Sequence, residues 1–172
     1  CLASDGQLLL FASDKKGGVG GTDLYYAHKL PDGEWGQPIN LGEGINTKYN
    51  EDYPALLKDG KTLFFSSDGH NSMGGYDLFK SMWQETEGTW GSPINIGYPI
   101  NTPEDNMNIS FSAQWDNSTA KSRNKYAYIS AWRKDGLGDL DIYRVTFNSV
   151  APVLTVITGT VSAKIPIDNS EY

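Results

Sequence analysis

Short apolar runs of strand length, each closed by glycine, asparagine or aspartate, follow one another along this chain. Leu8–Ser13 (LLLFAS), Asp23–His28 (DLYYAH) and Trp35–Leu41 form one set. Tyr53–Leu57, Thr62–Ser67 (TLFFSS), Asp77–Trp83 (DLFKSMW) and Trp90–Ile96 form a second. Runs of this length between turn residues read as β-strands, because alternate side chains reach opposite faces of a sheet. No segment carries a sustained apolar stripe at helical spacing between caps. The pattern predicts an all-β protein.

The two sets are copies of one text. At a spacing of 54 residues Asp5, Gly6, Phe11, Ser13, Asp14, Gly20, Gly21 and Asp23 recur as Asp59, Gly60, Phe65, Ser67, Asp68, Gly74, Gly75 and Asp77. At a spacing of 55, Trp35, Pro38, Ile39, Asn40, Ile45, Asn46 and Thr47 recur as Trp90, Pro93, Ile94, Asn95, Ile100, Asn101 and Thr102. A period on this scale marks a supersecondary unit that stacks because it cannot bury its apolar face alone. A third, altered copy follows at a spacing of 64. There Tyr126–Ala131 (YAYISA) stands for TLFFSS and Gly138–Tyr143 (GDLDIY) for GGYDLF, with extra length in Asp116–Lys125. Loop growth between strands costs little.

Four short antiparallel strands per unit is the layout of a β-propeller blade. Cys1-Leu2-Ala3 aligns with Ala55-Leu56-Leu57, inside the innermost strand of a blade. Residues 1–145 thus predict about three blades, an incomplete ring belonging to a longer propeller, since a ring needs four to eight. Residues 146–152 (TFNSVAP) read as a linker. Residues 153–172, opening with VLTVITGTV, read as the first strands of a second β domain, a β-sandwich.

Composition narrows the function. A net charge of −7 argues against nucleic acid, which demands a basic face, and against direct binding to anionic lipid. With 19 glycines and 8 prolines the chain is turn-dense, and its one cysteine allows no intrachain disulfide. Val150–Val161 is too short to span a bilayer, so no direct membrane insertion is expected. Catalytic constellations are missing: the two histidines, His28 and His70, fall in different repeats, and no nucleophile elbow, P-loop or zinc spacing is present. The paired carboxylates Glu51/Asp52 and Glu104/Asp105 are neighbours on loops, a weak basis for acid–base work. The reading is of a protein that is not an enzyme.

The residues DGKTLFFSSD…GGYDLF…TWGSPINIG…INT resemble the TolB-type, WD-like β-propeller repeat, in the form found in multidomain OmpA-family proteins of Bacteroidetes. The tail VITGTVSAKIPIDNSEY is similar to the start of a carboxypeptidase-regulatory-like β-sandwich. Propeller followed by sandwich is also the order in peptidoglycan-anchored envelope proteins associated with type IX secretion. The resemblance implies a periplasmic, outer-membrane-associated scaffold that binds outer-membrane or periplasmic envelope proteins. It places any peptidoglycan contact in domains outside this chain. The alternative it leaves open is a propeller that binds or processes glycans or muropeptides.

Antiparallel blades put the Gly-rich loops Asp14–Asp23 and Asp68–Asp77 at the same end as the segments Gly42–Asp52 and Gly97–Asn106. Candidate partner-binding residues there are Asp14, Asp23, Asn46, Asp68, Asp77 and Asn101, joined by Arg123, Trp132 and Arg133 of the third copy. Against this stands a local role: glycine supplying positive φ, and Asn or Asp satisfying backbone groups. The same aspartates, with Asp139 and Asp141, offer oxygens for one calcium site, though neither an EF-hand nor aspartate at every second position appears. No other cofactor is expected. Trp35 and Trp90, being repeated, are expected to pack between blades. Trp83 and Trp115 have no repeat partner.

Overall fold

The computed structural model describes residues 1–112, 115 and 124–148. Over these residues the chain is strand and turn, without a helix. The first sheet holds β1 (Leu8–Ser13), β2 (Asp23–His28) and β3 (Ile39–Asn40) in that order. The second holds β4 (Glu51–Leu56), β5 (Thr62–Ser67) and β6 (Asp77–Gln84), and β6 pairs in turn with β7 (Thr89–Trp90) and β8 (Ile94–Asn95). The third holds β9 (Asn106–Phe111), β10 (Asn124–Ala131) and β11 (Asp141–Asn148). All pairings are antiparallel, and the central hairpins close at equivalent pairs: Ser13 with Asp23, Ser67 with Asp77, Ala131 with Asp141.

Why the second sheet reads as a continuous apolar run is now visible. Every residue of β5 is buried, because both faces of that sheet are covered. Leu63, Phe65 and Phe79 pack against Leu10, Leu24 and Ile45 of the first sheet and the segment after it. Phe64 and Leu78 pack against Ile109, Ala127, Ile129 and Ala131 of the third. The period-two alternation of one strand therefore serves two interfaces. Burying each of these rings contributes roughly 1.5–3 kcal/mol.

The strands β4 and β9 each carry a bulge at equivalent places. Register slips between Asp52 and Ala55, and between Ile129 and Ser130 opposite β9. The residues responsible, Tyr53 and Asn108, sit at φ of 50° and 55°. A bulge turns the local backbone out of the ladder. At Asn108 the freed N–H donates to Ser66 Oγ at 3.2 Å, tying the third sheet to the second.

Several boundaries differ from the sequence reading. The predicted strands Trp35–Leu41 and Trp90–Ile96 are each broken by Gly-x-Pro. What remains in the first is β3 plus a Lys29–Trp35 bridge, and in the second the separate β7 and β8. Proline has no N–H for the ladder. The strand expected at Gly138 begins at Asp141, because Asp141 accepts loop amides and holds residues 137–140 outside the sheet. Thr146–Asn148, expected as linker, continue β11 and pair with Asn124–Tyr126. The rest of that linker, the expected sandwich at 153–172, and 116–123 of the third-copy insertion, Arg123 included, lie outside the described residues.

Candidate functional site

Each Gly-rich loop is gathered onto the aspartate that opens the next strand. Asp23, 1% exposed, accepts the Val19 N–H at 2.5 Å and Asn40 Nδ2 at 2.8 Å on one oxygen, and the Gly20 N–H at 3.0 Å on the other. Asp77, fully buried, accepts the Met73 N–H and Asn95 Nδ2 on Oδ2, while its Oδ1 has no partner among the described residues. Asp141 accepts the Leu137 N–H at 2.7 Å and the Gly138 N–H at 3.4 Å. A carboxylate receiving several amides makes charge-assisted bonds of fixed direction, so the loops are built to a single shape.

The asparagines of the two INT motifs do similar work. Asn46 accepts the Leu24 N–H at 2.8 Å and donates to the Leu24 carbonyl at 3.0 Å. Asn101 repeats this on Leu78, at 2.9 and 2.8 Å. Each side-chain amide also bonds its neighbour, Asn40 or Asn95. It thereby substitutes for a strand along the edge of β2 or β6.

The paired glycines are needed for closeness rather than for left-handed backbone. Gly20, Gly21, Gly74 and Gly75 are absent from the positive-φ positions, contrary to the local reading of the sequence. A Cβ at Gly20 would lie 2.1 Å from the Thr47 carbonyl oxygen, and one at Gly74 1.9 Å from that of Pro103. At Gly21 and Gly75 it would meet Asn50 Oδ1 and Asp105 Oδ1 at 2.3 and 2.1 Å. The loops thus lie flat on the segments joining the sheets.

Four of the predicted partner-binding residues, Asp23, Asn46, Asp77 and Asn101, are therefore turned into the fold. Asp68, also tied inward, accepts the Asn50 N–H at 2.7 Å and Asn50 Nδ2 at 2.9 Å. Asp14 is exposed on its loop. Trp132 is 37% exposed, its N–H reaching the Asp105 carbonyl at 3.5 Å. Arg133 is half-buried and spans the second sheet junction, donating to Asn106 Oδ1 at 2.7 Å and to the Ile100 carbonyl at 2.7 Å.

What these tied loops display outward is a set that sequence reading missed. Val19, Met73 and Leu137 stand at equivalent positions and are 36%, 46% and 100% exposed. Each is the residue whose N–H the aspartate holds. The signal was present in the sequence as an apolar residue four places before the strand-opening aspartate in every copy. Nearby, Tyr49 is 48% exposed with Lys48 over its ring at 5.0 Å. The Tyr76 hydroxyl is pushed up to about 12 by burial first, then by the charges of Asp68 and Asp52.

Trp90 packs on the core between the first two sheets as expected, but Trp35 is 39% exposed, with Lys29 over its ring at 5.9 Å. Trp90 belongs to the face of the second sheet that meets the first. The corresponding face of the first sheet has no sheet against it among the described residues. Among the described residues no group of three or more His, Cys, Asp or Glu is placed to hold a metal. Nor is any helix there long and apolar enough to cross a membrane. In comparisons with protein-family models and with curated proteins, nothing matches this chain.

Proposed function

We propose that this chain is a non-catalytic protein-interaction module, about three blades of a longer β-propeller, that serves as a scaffold in a bacterial cell envelope. The carrying observation is the recurrence of an exposed apolar side chain at one position of three successive, aspartate-anchored loops. Residues held this firmly yet left uncovered lose little freedom on docking, which favours a protein partner. Side-by-side antiparallel sheets in repeat register agree with blade geometry. The strand-opening aspartates Asp23, Asp77 and Asp141 are engaged by loop amides, a structural role that agrees with a non-catalytic reading.

The resemblance to OmpA-family envelope proteins supplies the setting. It points to the periplasm, on the outer-membrane side, with outer-membrane or periplasmic proteins as partners, type IX secretion as the associated system, and peptidoglycan held by domains beyond this chain. The test is a triple substitution, Val19→Ser, Met73→Ser and Leu137→Ser, in the intact protein. In-cell crosslinking to envelope proteins should fall sharply while the melting temperature stays unchanged. Undiminished crosslinking by the folded triple variant would refute the assignment of this face.

A further inference from the structure

The opposite end of the sheets, where the short turns lie, holds a second feature. Between the first and second sheets a cleft of about 360 Å³ opens, walled by Leu8, Leu10, Tyr26 and His28 on one side and Trp83 and Trp90 on the other. The two indoles meet edge to face, 5.5 Å between centroids at 74°, and Trp83 is 37% exposed. Tyr26 and His28 likewise stand edge to face at 5.4 Å. Rings face rings across a space the size of a small ligand.

The second junction indicates what fills such a space. The counterparts there of Leu10, Leu56 and Trp83 are Phe64, Phe111 and Phe147. A single indole links them. Trp115 meets Phe111 edge to face at 4.6 Å and Phe147 edge to face at 5.0 Å, and Phe111 in turn meets Phe64 at 4.8 Å. Lys125 lies over the Trp115 ring at 5.6 Å. Trp115 comes from the connection between β9 and β10. At the first junction the corresponding connection is the tight turn Lys58-Asp59-Gly60, which brings only Gly60 to the cleft. The wedge that the chain fills with its own indole in one place it leaves open in the other.

We propose that this cleft binds an aromatic side chain, an indole above all, presented by an extended segment of a partner polypeptide. Tyr26, Trp83 and Trp90 supply edge and face contacts, and Leu8 and Leu10 the aliphatic part of the wall. Trp115 against Phe111 and Phe147 is the internal template for the contact. A saccharide would need hydrogen-bonding groups converging on its hydroxyls, whereas this wall is mainly ring and aliphatic surface. The site lies away from the apolar loop tips and does not depend on their role.

The probe is N-acetyl-tryptophanamide, titrated against the full chain by NMR, with N-acetyl-alaninamide and chitotriose in parallel. Saturable shifts confined to Tyr26, His28, Trp83 and Trp90 are expected with the indole probe alone. Trp83→Ala should weaken binding by roughly fivefold, the worth of one aromatic pair. Leu8→Trp should abolish binding by filling the cleft from its first-sheet wall, and a retained melting temperature shows that the fold survives. Absence of saturable shifts in the parent chain, binding indifferent to Leu8→Trp, or preferential binding of chitotriose would each overturn the proposal.

Discussion

The two junctions between neighbouring sheets occupy equivalent places in the repeat and are held by different chemistry. At the first, Phe65 and Phe79 are both fully buried and the His70 ring packs on them, at 5.9 and 5.3 Å. His70 Nε2 donates to the Ile45 carbonyl at 2.8 Å, so the proton sits on that nitrogen. Below it Glu51, fully buried, accepts the Thr47 N–H, the Thr47 hydroxyl and the Ser67 hydroxyl, each at 2.7 Å. At the second junction Ile129 and Tyr143 replace the phenylalanines, Asn106 replaces Glu51 and Ala131 replaces Ser67. Arg133 does the reaching there: it bonds the Ile100 carbonyl, the equivalent of Ile45, and lies over Tyr143 at 5.6 Å.

A carbonyl left bare by the turn of the INT motif must find a donor at either junction. A ring nitrogen or a guanidinium serves equally, provided the surrounding volume is adjusted. With the donor comes the counter-group. The carboxylate of Glu51 suits a junction rich in hydroxyls and amides, whereas beside Arg133 an amide oxygen is sufficient. Around the Ile45 carbonyl the first junction is ring-packed and acidic, whereas around the Ile100 carbonyl the second has Ile129 in place of Phe65 and carries the cation, its own rings gathering at Trp115 instead.

The largest effect expected is on packing. Phe65→Ala should cost about 4 kcal/mol in urea unfolding, and Ile129→Ala about 2.5 kcal/mol, since a bigger void is left where a ring was fully enclosed. Comparable losses for Phe65→Ala and Ile129→Ala would erase the contrast in ring packing. Next comes polar closure. Glu51→Ala strands three donors and should cost about 3 kcal/mol, against about 1.5 kcal/mol for Asn106→Ala, by the same measurement. A smaller loss at Glu51 than at Asn106 would reverse the ranking.

The smallest effect is in pH dependence. Tyr76 holds its proton to about 12, above the ordinary 10, because burial and then the acidic groups of the first junction oppose its anion. The folded chain therefore binds this proton more tightly than the unfolded chain. The associated stability is intact below pH 10 and is lost as the pH climbs through about 12. In a phenolate absorbance titration Tyr76 should ionise among the last tyrosines, and Tyr76→Phe should take one phenolate out of the late phase. An unchanged late phase in Tyr76→Phe would show that neither burial nor the first junction's charges hold the proton on Tyr76.

Strand placement was largely legible, because period-two alternation and turn residues are local signals. Asp23–His28 and Thr62–Ser67 were readable to the residue. The outer strands were overextended because Gly-x-Pro still looks apolar enough to continue, although Pro38 and Pro93 cannot join a ladder. The candidate loops were legible in position, but not which of their side chains are buried. Repetition located the loops, but whether Asp23 or Val19 faces water depends on amides converging in three dimensions.

From the sequence alone came the repeat, its strands, the all-β class and the end of the sheets where the loops gather, since each follows from short-range spacing. Only the tertiary structure decided that the paired glycines permit close approach and that apolar tips rather than the strand-opening aspartates are displayed. It alone joined His70 to Ile45 and Arg133 to Ile100, and left a cleft at one junction where Trp115 fills the other. Those facts arise where side chains from different sheets meet, and no spacing along one chain encodes how the meeting is filled.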